Sequence, residues 1–316
     1  MFRSSRHNDP QRGAALRTAR AFVVRRTVLL DGPDDGGIVQ AAGARSIVSK
    51  PSARETYDVV IAGARRIAEL ARFVAPRGVF VCLAHDDDAA RRLSASFSVV
   101  QRVDHALLGT NDDRWRTPRL HLGCGPLALE GWINIDNRPY EGVDLLWDLA
   151  NGIPLRNASL VFAEHFLEHL SYAEASRFVA GCRAALRDDG VLRLSTPNLD
   201  WVWTIAYRPH AWQSSAEAQR DCFVANRAFR AWGHQFLYNA QTLTALLRNS
   251  GFAEITFHQY GESDRPELRD LERHPRDPDD PSLPHVLIVQ ARGRRETNEV
   301  EGEQLIADYL RDLSAS

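Results

Sequence analysis

Arg119-Leu120-His121-Leu122-Gly123-Cys124-Gly125-Pro126 is an alternating, strand-length stretch that runs straight into two closely spaced glycines. The alternation up to Leu122 reads as a strand, and a backbone without Cβ atoms just beyond it lets a ligand approach closely. In open α/β sheets that position is the carboxyl edge, where ligands bind. Gly123 through Ala128 also satisfies the dinucleotide pattern G-x-G-x-x-G/A. Two features count against a nicotinamide cofactor. Pro126 interrupts the tight turn, and the next strand-end acid, Asp136, follows Gly123 by 13 residues, where that fingerprint expects roughly 20.

Working outward, strand-length apolar runs alternate with helix-length segments, the order that predicts a parallel sheet with helices on its faces. Downstream, strands are expected over 132–135 ending in Asp136, 143–147 ending in Asp148, and 159–163 leading into Glu164-His165-Phe166-Leu167-Glu168-His169. A helix over 172–186, a turn at Asp188-Asp189-Gly190 and a strand over 191–195 precede Thr196-Pro197-Asn198. Residues 199–232 read as irregular and aromatic-rich, and a helix over 240–250 closes at Gly251, a C-cap position. Two last strands, 253–259 and 285–291, flank a loop rich in Pro, Asp and Arg that tolerates disorder. Val300, Leu305, Ile306, Tyr309, Leu310 and Leu313 give a tail helix over 299–313 an apolar face.

Upstream, strands are expected over 27–30, 46–49, 57–62, 78–83 and 97–103, with helices over 64–74 and 87–94. Pro76-Arg77-Gly78 reads as a turn and 109–114 as a linker. Gly32, Gly36 and Gly37 form no phosphate-binding fingerprint, so this third reads as a degenerate Rossmann-like unit without a cofactor. Its expected roles are packing, a homodimer contact, or shaping access to the neighbouring domain.

With 316 residues the chain has room for one large domain or two modest ones. A hydrophobic share of 44% and a charged share of 25% are those of a globular protein. A net charge of −2 gives no global electrostatic case for nucleic acid. No apolar run approaches the roughly 18–20 residues of a membrane span. Cys82, Cys124, Cys182 and Cys222 are scattered without a CxxC pair, which favours a reducing, cytoplasmic setting over disulfides or a cysteine zinc site. Lys50 is the single lysine among 39 basic residues, read as the coding bias of a GC-rich bacterial genome. Residues 1–26 carry Arg3, Arg6, Arg12, Arg17, Arg20, Arg25 and Arg26 against one acid, Asp9, and read as a flexible, solvated terminus.

Taken together, residues 118–292 resemble class I S-adenosylmethionine-dependent methyltransferases, in the type 11 group. The resemblance rests on ordered motifs: His121-Leu122-Gly123-Cys124-Gly125, Asn134-Ile135-Asp136, Asp148-Leu149 before Ile153-Pro154-Leu155, 162–170, the passage from Leu186 through Asn198, and Gly233-His234…Tyr238…Gly251-Phe252. It implies a seven-stranded Rossmann-like methyltransferase sheet preceded by the smaller degenerate unit. The domains are then 1–26, 27–110, 118–292 with an acceptor lid over 199–238, and a charged tail over 293–316. It implies S-adenosyl-L-methionine as cofactor, held by Leu122, Gly123, Cys124, Gly125, Asp136, Asp148, Leu149 and Glu164. Asp136 would take the ribose hydroxyls and Asp148 the adenine amino group. The connection between Gly125 and Trp132 is short, leaving little of the family's usual first helix. The acceptor is a small molecule methylated at oxygen, nitrogen or carbon in a bacterial biosynthetic or modification pathway, with no nucleic acid or membrane involved.

Glu164 and His165 follow the fourth strand of that domain directly, where the methyl group would sit. Imidazole, with its ordinary pKa near 6.5, is the better base at neutral pH; His234 and Tyr238 from the lid are rivals. Glu168 and His169 are expected to orient or pack. His165-Phe166-Leu167-Glu168-His169 also satisfies H-x-x-E-H, a zinc-hydrolase pattern that needs both histidines on one helical face. It starts at a strand end with no strong carboxylate ligand downstream, so no metal is assigned. Trp201, Trp203, Tyr207, His210, Trp212, Phe223, Phe229 and Trp232 can line an acceptor pocket or close the domain. A nicotinamide oxidoreductase, a zinc hydrolase and a non-catalytic cofactor-binding scaffold are the alternative readings.

Overall fold

The computed structural model describes residues 10–23, 25–32, 37, 39–206, 214–274, 282–296 and 299–314, without the side chains of 10, 205 and 206. The expected lid residues Tyr207, His210 and Trp212 lie outside these, as do the start of the basic terminus and the centre of the Pro-, Asp- and Arg-rich loop. The chain packs as two compact units, Met1–Leu149 with Pro154–Ala158, and Ala150–Ile153 with Ser159–Ser316.

The first unit opens with α1 (Pro10–Ala19), which differs from the loose terminus expected there. Ala15, Leu16 and Ala19 are wholly buried, and Phe22 packs against Trp115 with ring centroids 6.0 Å apart. Thr18 Oγ1 donates to Asp104 Oδ2 at 2.9 Å. The apolar residues thus outweigh the arginines between them. Next come β1 (Thr27–Leu30), β2 (Ser46–Val48), β3 (Tyr57–Ala62), a one-turn α2 (Ile67–Leu70), β4 (Val74–Cys82), α3 (Asp87–Ser94), β5 (Val99–Val103) and β6 (Ala106–Thr110). Their sheet runs β2-β1-β3-β4-β6-β5, parallel from β2 through β4 and antiparallel at β6.

Two expectations fail here for identifiable reasons. Pro76-Arg77-Gly78 does not turn the chain but lies within β4, where the pairing with β3 slips between Tyr57 and Val59 to absorb it. Gly109 and Thr110, read as linker, belong to β6. A Cβ at Gly109 would come within 2.5 Å of Phe97 and 2.8 Å of Leu93, so the glycine answers to packing rather than to a loop. Asp104, at φ 47°, makes the two-residue turn from β5 to β6.

The other sheet has seven strands, as expected. The first unit contributes β7 (Arg119–Leu122), β8 (Ile133–Asp136) and β9 (Leu145–Leu146), parallel and in that order. β9 is shorter than the run expected over 143–147. Arg114 braces this part, with Nη2 2.7 Å from Asp112 Oδ2 and 3.1 Å from Asp144 Oδ1, and Nη1 donating to the Trp132 carbonyl.

The second unit contributes β10 (Ala158–Glu164), β11 (Leu186–Pro197), β12 (Glu254–His258) and β13 (Val286–Arg292), ordered β12-β13-β11-β10, with β13 antiparallel to both neighbours. Helix α4 (Tyr172–Ala185) starts at a capping box of Ser171 and Glu174. Asp188, Asp189 and Gly190 are extended rather than turned, and Gly190 has no positive φ. The stretch read as irregular holds α5 (Leu199–Ala206) and α6 (Ser215–Arg230), capped by Asn198 Oδ1 on the Asp200 amide and Ser214 Oγ on the Glu217 amide. α7 (Ala240–Asn249) stops at Gly251, φ 92°, as its sequence predicts. α8 (Glu303–Ser314) forms the tail.

Gly109→Ala should overpack this junction and destabilise the chain by about 1–3 kcal/mol. Urea unfolding would read the loss; an unchanged midpoint would mean that Phe97 and Leu93 move aside freely.

Candidate functional site

In the first unit, β7 hands over to a turn built by glycines in the left-handed region, Gly123 at φ 63° and Gly125 at φ 53°. The Gly123 and Cys124 amides both donate to the Ile135 carbonyl, at 2.9 and 3.2 Å, holding the turn against β8. Asp136, at the end of β8 and 8% exposed, closes it: Oδ2 accepts from the Gly125 amide and Oδ1 from the Arg138 amide, each at 2.8 Å. A carboxylate oxygen has a second lone pair, so both oxygens keep capacity for a ligand. A Cβ at Gly125 would meet nothing within 4 Å, so the turn faces open space.

Asn134 replaces the missing first helix. Its side chain accepts from the Leu129 amide at 2.8 Å and donates to the Leu129 carbonyl at 3.0 Å, cinching 125–132 into a compact loop. Cys124 is buried, and burial followed by the charges of Asp136 and Asp144 pushes its thiol up to about 12. It is a neutral wall, not a nucleophile. Asp148 is exposed, while Leu122 and Leu149 are buried.

In the second unit, a cavity of about 720 Å³ is lined by five histidines (His165, His169, His234, His274 and His285), by Glu168, and by Trp201, Trp232 and Arg227. His165 follows β10 at φ 47°, a strained position for a side-chain-bearing residue, fixed by its amide donating to the Ser195 carbonyl at 3.0 Å. Its Nδ1 lies 2.9 Å from Glu168 Oε1, and Glu168 Oε2 accepts from Thr196 Oγ1 at 3.1 Å. Nε2 of His165 is buried without a hydrogen-bond partner among the described residues. Burial disfavours the imidazolium, but the bond to Glu168 and the charges of Glu168 and Glu164 outweigh it and raise the pKa of His165 above its ordinary value.

Glu164 is placed otherwise than a group facing a reaction centre. Its Oε1 accepts from the Arg273 amide at 2.7 Å, the His274 amide at 3.0 Å and His274 Nδ1 at 2.7 Å. Burial opposes its charge, yet these bonds win and hold its carboxyl below the usual value. The segment so held is also anchored by a buried ion pair, Arg193 Nε to Glu272 Oε1 at 2.7 Å.

His234 reaches the cavity because Trp232 (φ 57°) and Gly233 (φ 81°) turn the chain back, and its Nδ1 lies 2.7 Å from the Ala228 carbonyl. Tyr238 does not line the cavity. It is wholly buried, and burial, with the nearby Tyr172 and Glu168, raises its phenol pKa far out of reach of a base at neutral pH. That corrects its reading as a rival base. Of the aromatics, Trp201 and the largely exposed Trp232 line the cavity, and Trp203, Phe223 and Phe229 are exposed away from its lining. His274 and His285 join His165 from more than a hundred residues away. Nothing local in the sequence marks His274, whose place depends on Glu164.

No family model matches this sequence, and no curated protein does. Among solved structures, the chain is similar to a possible exported protein from Bordetella parapertussis, with 16% identity and a TM-score of 0.37 over 58% of this chain and 65% of that one. It is similar to Haemonchus contortus phosphoethanolamine N-methyltransferase 2 in complex with phosphomonomethylethanolamine and S-adenosylhomocysteine, with 11% identity and a TM-score of 0.34 over 82% and 85%. It is also similar to human N-acetylserotonin methyltransferase in complex with S-adenosylmethionine, with 14% identity and a TM-score of 0.36 over 58% and 49%. The chain thus spans just under two thirds of the first structure and about half of the third. Scores of this size carry no argument about function, which rests on the side chains above.

Because the pKa of Glu164 is lowered on folding, its stabilisation is fully present above the ordinary carboxylate range and is lost as pH falls through its folded value. Glu164→Gln should therefore cost about 1–2 kcal/mol at neutral pH, a gap from wild type that closes on acidification. Thermal melts over a pH series would show it; a gap independent of pH would assign the loss to packing.

Proposed function

We propose that the chain is a class I methyltransferase that uses S-adenosyl-L-methionine to methylate an oxygen, nitrogen or carbon nucleophile of a small molecule. The observation that carries this reading is the turn after β7, with Gly125 facing open space and its amide fastened to Asp136 at the next strand end. The residues fit the cofactor. Asp136 keeps an acceptor lone pair on each oxygen for a vicinal diol, Asp148 is an exposed acceptor suited to an exocyclic amine, and Leu122, Gly123, Cys124 and Leu149 offer backbone and apolar wall. The loop from Gly125 to Trp132 contains no helix, so the helix N-terminus that a dinucleotide pyrophosphate needs is missing, which favours a nucleoside ligand over NAD.

When bound, the cofactor supplies a methyl group already activated on a sulfonium, so the chain's own task is alignment and, for a protonated acceptor, removal of one proton. The second-unit cavity is suited to the acceptor. Glu168 accepts only, so the hydrogen of His165 sits on Nδ1 and the lone pair on Nε2, the arrangement of a general base. His234, with Nδ1 held by a carbonyl, likewise carries its lone pair on Nε2. Glu164 positions His274 rather than taking part in chemistry. The type 11 grouping, a cytoplasmic setting and a bacterial biosynthetic role complete this proposal, supported by the ordered motifs and by the near-neutral, arginine-dominated composition.

Calorimetry on the full chain should show S-adenosylmethionine and S-adenosylhomocysteine binding, weakened about tenfold or more by Asp136→Ala. Asp136→Asn, which can keep one amide bond, separates loss of the ligand from loss of the turn. Gly125→Ala, strained by about 1–2 kcal/mol at its positive φ, should also weaken binding. Tighter binding of NAD than of either nucleoside would contradict the reading.

A further inference from the structure

The H-x-x-E-H stretch is not used as a zinc-hydrolase helix. His165 has φ 47° and precedes a short 3-10 turn, Leu167–His169, so the two histidines do not share a helical face. Each instead meets a histidine distant in sequence: His165 with His274 at 5.0 Å between ring centroids, and His169 with His234 at 5.2 Å. A glutamate joins each pair. Glu164, His165 and His274 form one set and Glu168, His169 and His234 the other, and in each one potential ligand atom per residue lies within 4.8 Å of the rest.

The two sets are chemically different. In the first, most of the ligand atoms are taken up by hydrogen bonds, His165 Nε2 being the exception. Glu164 Oε1 already takes three N–H groups, one of them His274 Nδ1, and His165 Nδ1 is spent on Glu168. In the second, each Glu168 oxygen holds one hydrogen bond and keeps a lone pair. The Ala228 carbonyl can only accept, so it fixes the hydrogen of His234 on Nδ1 and leaves Nε2 free to ligate. A metal-binding imidazole is held in just this way, by a carbonyl or carboxylate on its other nitrogen. His169 has no hydrogen bond to its ring among the described residues, and all three side chains line the cavity.

We propose that Glu168, His169 and His234 bind one divalent transition-metal ion of the zinc class, with its remaining coordination positions open to the cavity. Two imidazoles and one carboxylate suit zinc, cobalt or iron and not magnesium or calcium, which prefer all-oxygen shells. Open positions allow the ion to take an oxygen or nitrogen of a molecule in the cavity. This site stands whether or not the chain transfers methyl groups.

The test uses the full chain stripped with a chelator, then titrated with Co²⁺ by visible absorbance and with Zn²⁺ against a chromophoric chelator. One equivalent of each should bind, with cobalt bands of a four- or five-coordinate site. His169→Ala and His234→Gln should weaken binding at least about tenfold, while His274→Ala, from the first set, leaves it within about twofold. Circular dichroism on each variant confirms folding, and His169→Gln replaces His169→Ala if the latter unfolds. No binding by the stripped protein, binding indifferent to His169 and His234, or binding lost equally in His274→Ala would each overturn the assignment.

Discussion

The buried carboxylate of Glu168 is the constraint on which the second unit depends. It is 0% exposed, and a charge placed there is tolerable only with partners at short range. Its side chain takes Thr196 Oγ1 from β11 and Nδ1 of His165, and its carbonyl accepts the amides of Gln235 at 2.7 Å and Phe236 at 3.3 Å. One residue therefore ties the end of β10, the end of β11 and the passage carrying His234. The orientation of the cavity histidines follows from that tie. Glu164, four residues earlier at the end of β10, repeats the logic, gripping 273–274 and bringing His274 against His165.

The first unit relies on two comparable fastenings. Asp136 closes the glycine turn through the Gly125 amide, and Arg114 binds Asp112 and Asp144 together, so that the chain entering β7 is fixed to the chain entering β9. Arg26 adds a third contact, donating to the Asp144 carbonyl at 3.3 Å. Asp144 was not among the acids that the sequence marks as functional, and its role is structural: it also accepts from the Asn134 amide at 3.0 Å.

Most strands are legible because short apolar or alternating runs flanked by breakers suit little else. β1, β3, β7 and α3 begin and end where their patterns say. The failures are instructive. β6 hid behind Gly109-Thr110, whose composition says loop while its packing against Phe97 demands glycine. β4 hid behind Pro76, absorbed by a slip in register. α5 and α6 hid because their aromatics obscure the helical period, although Ser214 and Glu217 carry the start signal. In the sites, the glycine turn and Asp136 could be read locally. The pairing of His165 with Glu168 has a three-residue spacing visible in the sequence, but His274 and His285 enter only through tertiary structure. The H-x-x-E-H spacing misled because spacing implies a shared face only on a regular helix, and His165 at positive φ stands outside one.

The account stands or falls on whether the turn after β7 holds a nucleoside sulfonium. Ultraviolet crosslinking of S-adenosylmethionine carrying a radiolabelled methyl group, followed by peptide mapping, asks this directly. The account predicts label within the peptides that span Leu122 to Leu149, abolished by excess S-adenosylhomocysteine. Label absent from that stretch, or displaced by NAD and not by S-adenosylhomocysteine, would contradict it.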